Sequence, residues 1–171
     1  MQPPDQARPP VLYRFSERRW IERALAEGEF RLRPMIDERI LSPRLQASGA
    51  RLAPGSGYLT LALCRKFDPA LFGHFDQADC CLQINDPELF GERLHRAVQR
   101  ALPSWAGIDA AVTYGAASPL GKAFTKPREQ AFEREWMFAW RPTQEALTLN
   151  AVVVKLGSLE KIAELREAPA P

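Results

Sequence analysis

Residues 126–140 read KPREQAFEREWMFAW and decide the fold, because an alternating aromatic strand here follows two closely spaced carboxylates. Successive side chains of a β-strand point to opposite faces of the sheet. One face of this strand would carry an apolar row formed by Trp136, Phe138 and Trp140. The other face would carry Glu133, Glu135, Met137 and Ala139. The stretch therefore predicts a strand that is anchored on one face and acidic at the start of the other.

The acidic pair has two interpretations. Carboxylates that share a strand face can act as general acid and base, can bind a substrate hydroxyl, or can stabilise positive charge at an anomeric carbon. Alternatively, Glu133 and Glu135 are solvated side chains that balance Lys126, Arg128 or Arg134, each pair contributing less than about 1 kcal/mol. The residues alone leave both interpretations open, with Glu135 the stronger candidate of the two.

Length and composition indicate one globular domain. The chain has 171 residues, of which 46% are hydrophobic and 26% are charged, and this is enough to bury a core. Residues 1–10 include four prolines and little apolar content, so we predict a flexible leader followed by a single domain over residues 11–168. The net charge of +2, with scattered basic residues, gives no signature of polyanion binding and does not exclude nucleic acid.

The cysteines and histidines limit the kinds of metal site that the sequence can form. Cys64, Cys80 and Cys81 lack CxxC spacing, and His74 and His95 are far apart in sequence, so we predict no metal site. No basic N-terminal segment precedes an apolar core, and no apolar run reaches the roughly 18 residues of a membrane span. We therefore expect a cytoplasmic protein with no membrane contact.

The hydrophobic pattern predicts about seven strands and three to five helices. Strands are expected at 11–15, 29–33, 57–64, 80–84, 110–114, 133–140 and 147–155. Helices are expected at 17–27, 68–75 and 86–102, and after a cap at Ser158. Residues 35–56 fit a helical turn followed by a mobile loop. Because strands and helices are interspersed irregularly, the fold class is α+β with a mixed or split sheet, and not a doubly wound α/β fold.

Further candidate residues lie outside the acidic strand. Arg14 falls in an otherwise apolar strand, where it could grip a phosphate or carboxylate, or lie on an exposed edge. Tyr58 and Thr60 share a strand face and offer a ring and a hydroxyl, although such a face is also ordinary strand composition. Lys126 could bind phosphate or be a surface lysine, and Tyr13 suits the core. The sequence contains no GxGxxG or Walker motif.

The order of short motifs resembles a large family of uncharacterised bacterial domains. Its members open with Leu-Tyr-Lys/Arg-Tyr/Phe and later carry a lysine followed by Glu-x-Glu-Trp-Arg. In this chain Leu12-Tyr13-Arg14-Phe15 corresponds to the first motif, and Glu133-Arg134-Glu135-Trp136 after Lys126 corresponds to the second. The resemblance spans most of the chain after Pro10, with Met137 where the family usually has arginine.

A more distant likeness is to ADP-ribosyltransferases, especially bacterial toxins that modify DNA. Those enzymes also begin with a Leu-Tyr-His/Arg-Phe strand and place the catalytic glutamate just before an apolar strand. The likeness implies that Arg14 holds NAD, that Tyr58 or Thr60 lies in the middle strand of the nicotinamide pocket, and that Glu135 orients the nicotinamide ribose. Glu133 would complete an acid-x-acid pair as a second catalytic residue, and Tyr13 and Lys126 are further candidate NAD contacts. The middle strand lacks the Ser-Thr-Ser of the more familiar toxin subclass.

Two functional hypotheses result. The first is an NAD-dependent ADP-ribosyltransferase or NAD-cleaving enzyme with an ADP-ribosyltransferase-like fold, such as a bacterial toxin or defence effector. It would use NAD as a substrate without a metal, accept a protein or nucleic acid as ADP-ribose acceptor, and line one cleft with Arg14, Tyr58 and Glu135. The alternative is a non-enzymatic binding module, such as an immunity or adaptor protein with a cognate toxin or immunity partner.

Overall fold

A computed structural model describes residues 7–36, 57–75, 77–144 and 150–170. Within these residues there are three α-helices, α1 (Arg18–Glu27), α2 (Leu71–His74) and α3 (Pro87–Ala101), and two 3-10 helices, Lys122–Phe124 and Arg128–Glu133. The strands of the same residues are β1 (Leu12–Ser16), β2 (Glu29–Ile36), β3 (Gly57–Cys64), β4 (Cys80–Ile84), β5 (Trp105–Ala111), β6 (Thr113–Tyr114), β7 (Thr125–Lys126), β8 (Glu135–Pro142), β9 (Val152–Lys155) and β10 (Ala163–Glu167).

The main sheet contains eight antiparallel strands with β3 at its centre. On one edge of β3 lie β8 and then β5. The other edge of β3 serves two strands, because β2 pairs with residues 57–60 and β1 pairs at Cys64. Beyond β1 lie β4 and β10, and beyond β2 lies β9. The sheet therefore splits where β1 and β2 diverge, while β6 and β7 form a separate parallel pair.

Each face of the sheet has its own core, and the two faces carry different residues. The helix face, packed against α1 and α3, buries the aromatic row of β8 with Leu59, Leu61 and Leu63 of β3. The loop face is covered by α2 and by the chain between β5 and β8, and there Met137 and Ala139 pack with Phe124. The aromatic row is thus the anchor that the sequence predicted, but both faces of β8 are covered.

The predicted fold class is confirmed as α+β, with eight strands in the main sheet against about seven expected. The closing segment differs, because the helix expected after Ser158 is replaced by β10. Ala163 and Leu165 face one way and Glu164 the other, and the whole segment pairs antiparallel with β4, so sheet pairing outweighs local helix propensity. The turn and loop expected over 35–56 lie outside the described residues, apart from the end of β2.

The ordered domain begins earlier than residue 11. Arg8 donates from Nε and Nη2 to Asp109 at 2.7 and 2.9 Å, so it belongs to the fold and not to a flexible leader. Gly91 of α3 makes this possible, since a Cβ there would lie 2.5 Å from the guanidinium carbon of Arg8. The boundary of the predicted leader is therefore corrected to before Arg8, and residues 1–6 lie outside the described part of the chain.

Candidate functional site

A turn at Arg134, and not strand alternation, brings the side chains of Glu133 and Glu135 together. Glu133 is the last residue of a 3-10 helix, and β8 begins only at Glu135. Arg134 between them has a φ of 46°, a left-handed conformation that non-glycine residues rarely adopt. Its carbonyl accepts a hydrogen bond from the backbone N–H of Arg65 at 2.8 Å, which fixes the turn. The expectation that Glu133 lies in the strand is wrong, although the predicted pairing with Glu135 is present.

Lys126 brings the two carboxylates together. Its Nζ donates to Glu133 Oε2 at 3.1 Å and also to Glu135 Oε1. His74 Nε2 lies 3.0 Å from Glu133 Oε1. Glu133 is 6% exposed and Glu135 only 3% exposed, so the interpretation as solvated surface side chains is wrong. We call these three residues, with His74 and Tyr114, the glutamate cluster.

The environment drives the pKa values of the two carboxyl groups apart. Burial raises the pKa of Glu135 to about 7, the bond to Glu133 adds to this, and Lys126 opposes it. Burial also opposes ionisation of Glu133, but hydrogen bonds with Glu135, Lys126 and His74 outweigh it and lower the pKa of Glu133. Glu133 is therefore ionised near neutral pH, whereas Glu135 exchanges its proton at a pH of about 7, an arrangement typical of acid–base sites.

Tyr114 and Lys126 each keep a single protonation state near neutral pH, unlike Glu135. The Tyr114 hydroxyl accepts a hydrogen bond from the backbone N–H of Glu135 at 2.8 Å, which leaves the phenolic proton available to donate elsewhere. Burial raises the pKa of Tyr114 to about 12, so it remains a phenol. Burial lowers the pKa of Lys126, but its bonds to Glu135 and Glu133 outweigh this and raise the pKa overall, so the lysine remains charged.

Of the other predicted site residues, the ones on the loop face are spread along the sheet. Tyr13, Cys64 and Glu135 form one cross-strand row, and the Tyr13 ring packs 5.9 Å from Phe67. Thr60 and Tyr58 share this face, but they lie roughly 13 and 20 Å further along β3 at about 3.3 Å per residue. The Thr60 hydroxyl donates to a β2 carbonyl at 3.2 Å, so it serves the sheet.

Arg14 lies on the opposite face from Glu135. Its neighbour Leu12 and its cross-strand partner Leu82 both belong to the core of the helix face. Arg14 Nη1 donates to the Ala62 carbonyl at 2.9 Å, within the split between β1 and β2. Within the described residues, the register places Arg14 on the face opposite Tyr58 and Glu135. Burial lowers the pKa of Arg14, Arg33 lowers it further, and Cys64 and Glu135 oppose this, so Arg14 is still within electrostatic range of Glu135.

No family model, curated protein or solved structure matches this chain. Among the described residues, no helix combines the length and apolar character that crossing a membrane requires. Within the same residues, no three His, Cys, Asp or Glu side chains are grouped so that they could hold a metal ion. The case for a functional site therefore rests on the geometry of the glutamate cluster.

Sequence reasoning missed two members of this cluster. The sequence links His74 to no partner, yet it contacts Glu133 and packs edge-on against Phe132, with ring centroids 4.6 Å apart. Tyr114 was expected only as the end of a strand. No spacing in the sequence links positions 74 and 114 to the glutamates, because α2 and β6 reach them only through the fold.

Proposed function

We propose that this protein is an NAD-consuming enzyme that cleaves the bond between nicotinamide and ribose at the glutamate cluster and transfers ADP-ribose to water or to a macromolecule. The observation that supports it is the buried carboxyl pair, whose pKa values are driven apart by burial and by shared hydrogen bonds. This pair occupies the position at which the sequence resemblance places the catalytic glutamate. Perturbed carboxyl groups in a shared site are a physical mark of acid–base chemistry.

The chemistry assigns a separate role to each acidic residue. When the glycosidic bond breaks, its electron pair leaves with nicotinamide and the ribosyl carbon becomes cationic. Ionised Glu135 accepts hydrogen bonds from the ribose hydroxyls, stabilises this charge, and takes the proton that water releases on attack. Glu133, held by His74 and Lys126, positions Glu135 and remains ionised.

Arg14 has no part in this proposal. Its strand position faces the helix side of the sheet and Glu135 faces the loop side, so the contact with NAD that the resemblance implies for Arg14 is not used here. Lys126 is the cation nearest the glutamates, and it offers a contact for a ligand phosphate if a ligand displaces one of its two carboxylate bonds.

The direct test is nicotinamide release from NAD, measured by chromatography with Glu135→Gln and the matched control Glu129→Gln. Glu129 lies in the 3-10 helix that precedes the cluster and is exposed. We expect a loss of about 100-fold or more for Glu135→Gln, the usual contribution of a positioned base, and no change for the control. Wild-type activity should rise with pH through about 7, because the base must be ionised. Equal activity of Glu135→Gln and wild type would contradict the proposal.

A second candidate is a non-enzymatic binding module. It is favoured by the fact that Lys126 and His74 already satisfy the glutamates within the chain, as expected of a structural ion-pair network. In that case NAD would not bind, and saturating NAD would leave the melting temperature unchanged. An NAD-induced rise in melting temperature that Glu135→Gln weakens would exclude this candidate.

A further inference from the structure

Strand β5 forms an outer edge of the main sheet, since its one strand partner among the described residues is β8. The N–H of Val112, directly after β5, donates to the Glu135 carbonyl at 3.0 Å. Hydrogen-bonded pairs alternate along an antiparallel ladder, so the even-numbered residues of β5 bond to β8 and the odd-numbered ones point outward. The backbone groups of Gly107, Asp109 and Ala111 therefore face away from β8, and within the described part of the chain no hydrogen bond reaches them.

The exposed surface of this edge is uncharged. Ala106 and Gly107 are exposed, and Ile108 has 49% of its surface exposed. Asp109, the one charged residue of β5, turns its side chain to the helix face, where Arg8 binds it. Natural edge strands are commonly protected from further pairing by exposed charges, proline, a bulge or short length. β5 has seven residues, an unbroken register with β8 and none of these protections.

The other two outer edges of the main sheet differ from β5 in this respect. β10 exposes the charged side chains of Glu164 and Glu167. β9 has only four residues and ends at the exposed Lys155. Charged side chains and short length both oppose pairing with another chain. Of these three edges, β5 is therefore the one suited to accept a further strand.

A second copy of β5 matches this edge. With a two-fold axis beside Ile108, antiparallel pairing places Gly107 opposite Asp109 of the other copy. The same pairing places Trp105 opposite Ala111, so every outward residue meets another outward residue. The Trp105 N–H already donates within its own chain. This leaves about six backbone hydrogen bonds to join the two copies.

The exposed isoleucine selects this register. Ile108 of each copy would lie beside Ile108 of the other as a non-hydrogen-bonded pair, with Cα atoms about 4.5 Å apart. Such a cross-strand contact removes apolar surface of both side chains from water. A register displaced by two residues would also pair outward groups, but it would place Ile108 opposite Ala110, which is already buried.

We propose that β5 is the interface of a homodimer, in which two copies of this chain pair their β5 strands antiparallel about a two-fold axis at Ile108. The two main sheets then form one continuous sheet, and no exposed charge of either strand opposes the contact. A single pair of strands is a small interface, so association is weak and depends on concentration. The dimer does not depend on the proposed enzymatic function, because pairing requires neither NAD nor the glutamate cluster.

The first test is the molar mass of the full chain in solution, measured by analytical ultracentrifugation. Because the interface is small, we expect a monomer at about 1 µM and a mass approaching that of a dimer at about 300 µM. Ile108→Lys places a charge at the axis and should give a monomer at every concentration. Val153→Lys is the matched control, because Val153 is an exposed valine of the edge strand β9 and its replacement should leave dimerisation unchanged. A wild-type monomer at the highest concentration, or equal effects of the two lysine variants, overturns the proposal.

Disulfide crosslinking tests the register and does not rely on loss of assembly. Ile108→Cys brings two thiols together across the axis, where a Cα separation of about 4.5 Å permits a disulfide. Ala106→Cys is the control on the same exposed face, since its two copies would lie roughly 14 Å apart along the strands. The native cysteines are buried, so the introduced thiol is the reactive one. We expect oxidised glutathione to convert Ile108→Cys, and not Ala106→Cys, into a covalent dimer. Equal crosslinking of the two variants, or none by Ile108→Cys, overturns the proposed axis.

Discussion

A buried carboxylate network lies against each face of β8, and the two networks differ in how many donors serve each carboxylate. On the helix face, Asp109 alone receives hydrogen bonds from Arg8, His95 and Trp136, between 2.7 and 2.9 Å long. On the loop face, two glutamates share one lysine and one histidine. The first network has donors in excess, and the second has a carboxylate in excess.

This difference decides the direction of the pKa shifts. Burial opposes ionisation of Asp109, but the bonds from Arg8, His95 and Trp136 outweigh it and hold its pKa well below the usual range. Trp140 Nε1 donates to His95 Nδ1 at 3.0 Å, so the histidine proton is on Nε2 and points to Asp109. Burial and the neighbouring Glu133 raise the pKa of Glu135 to about 7, and Lys126 offsets them only in part because it also serves Glu133. The comparison teaches that donor supply, more than burial, separates a structural carboxylate from a proton-exchanging one.

The largest expected effect comes from breaking the donor-rich network. Asp109→Ala would leave the Arg8 guanidinium, the His95 ring and the Trp136 N–H without their shared acceptor. We expect a loss of about 3–5 kcal/mol in the free energy of unfolding, measured by urea titration. Glu88→Gln is the matched control, because Glu88 is an exposed partner of the same arginine and should cost less than about 1 kcal/mol. Similar losses for the two variants would show that Asp109 is not the centre of this network.

The second prediction, of intermediate size, concerns how the free energy of unfolding depends on pH through Glu135. The folded-state pKa of Glu135, about 7, lies above its ordinary value of 4.5, so protonation favours the folded state. This contribution is fully present below about pH 4.5 and is lost as the pH rises through 7. Glu135→Gln mimics the protonated form, so we expect its stability to equal that of wild type at low pH and to exceed it at pH 8 by on the order of 2 kcal/mol.

Urea unfolding across this pH range provides the measurement, and Glu129→Gln provides the control. The control should follow the wild-type curve at every pH, since Glu129 is exposed and outside the cluster. If Glu135→Gln is instead less stable than wild type at pH 8, then ionised Glu135 is a stabilising ion-pair partner. The two faces of β8 would then carry networks of the same kind.

How far the sequence predicts this molecule depends on how local each feature is. The bounds of β3 and β4 agree with the prediction, because each is a short, mostly apolar stretch flanked by turn residues. The closing strand β10 was missed, since its identity comes from pairing with β4, about 80 residues earlier in the chain. Sheet pairing of this kind leaves no periodic signal that separates it from a short helix.

The same distinction holds within the candidate site. Glu133, Glu135 and Lys126 lie within one short stretch, so the sequence could place them together. The face on which Arg14 lies depends on the register of β1 against β4, which single-sequence patterns do not specify. The sequence therefore did not predict that Arg14 lies on the sheet face opposite Glu135.

The smallest expected effect concerns the turn that joins the two glutamates. Arg134 has φ 46° and ψ 54°, and a left-handed conformation costs a non-glycine residue about 1–2 kcal/mol. Glycine removes this cost but gives up roughly 0.5–1 kcal/mol through greater freedom of the unfolded chain. We therefore expect Arg134→Gly to be more stable than Arg134→Ala by about 0.5–1 kcal/mol in urea unfolding. Alanine is the matched control because it also lacks the guanidinium but retains the Cβ. If the alanine variant is the more stable of the two, the turn is not strained, and the closeness of the two carboxylates costs the backbone nothing.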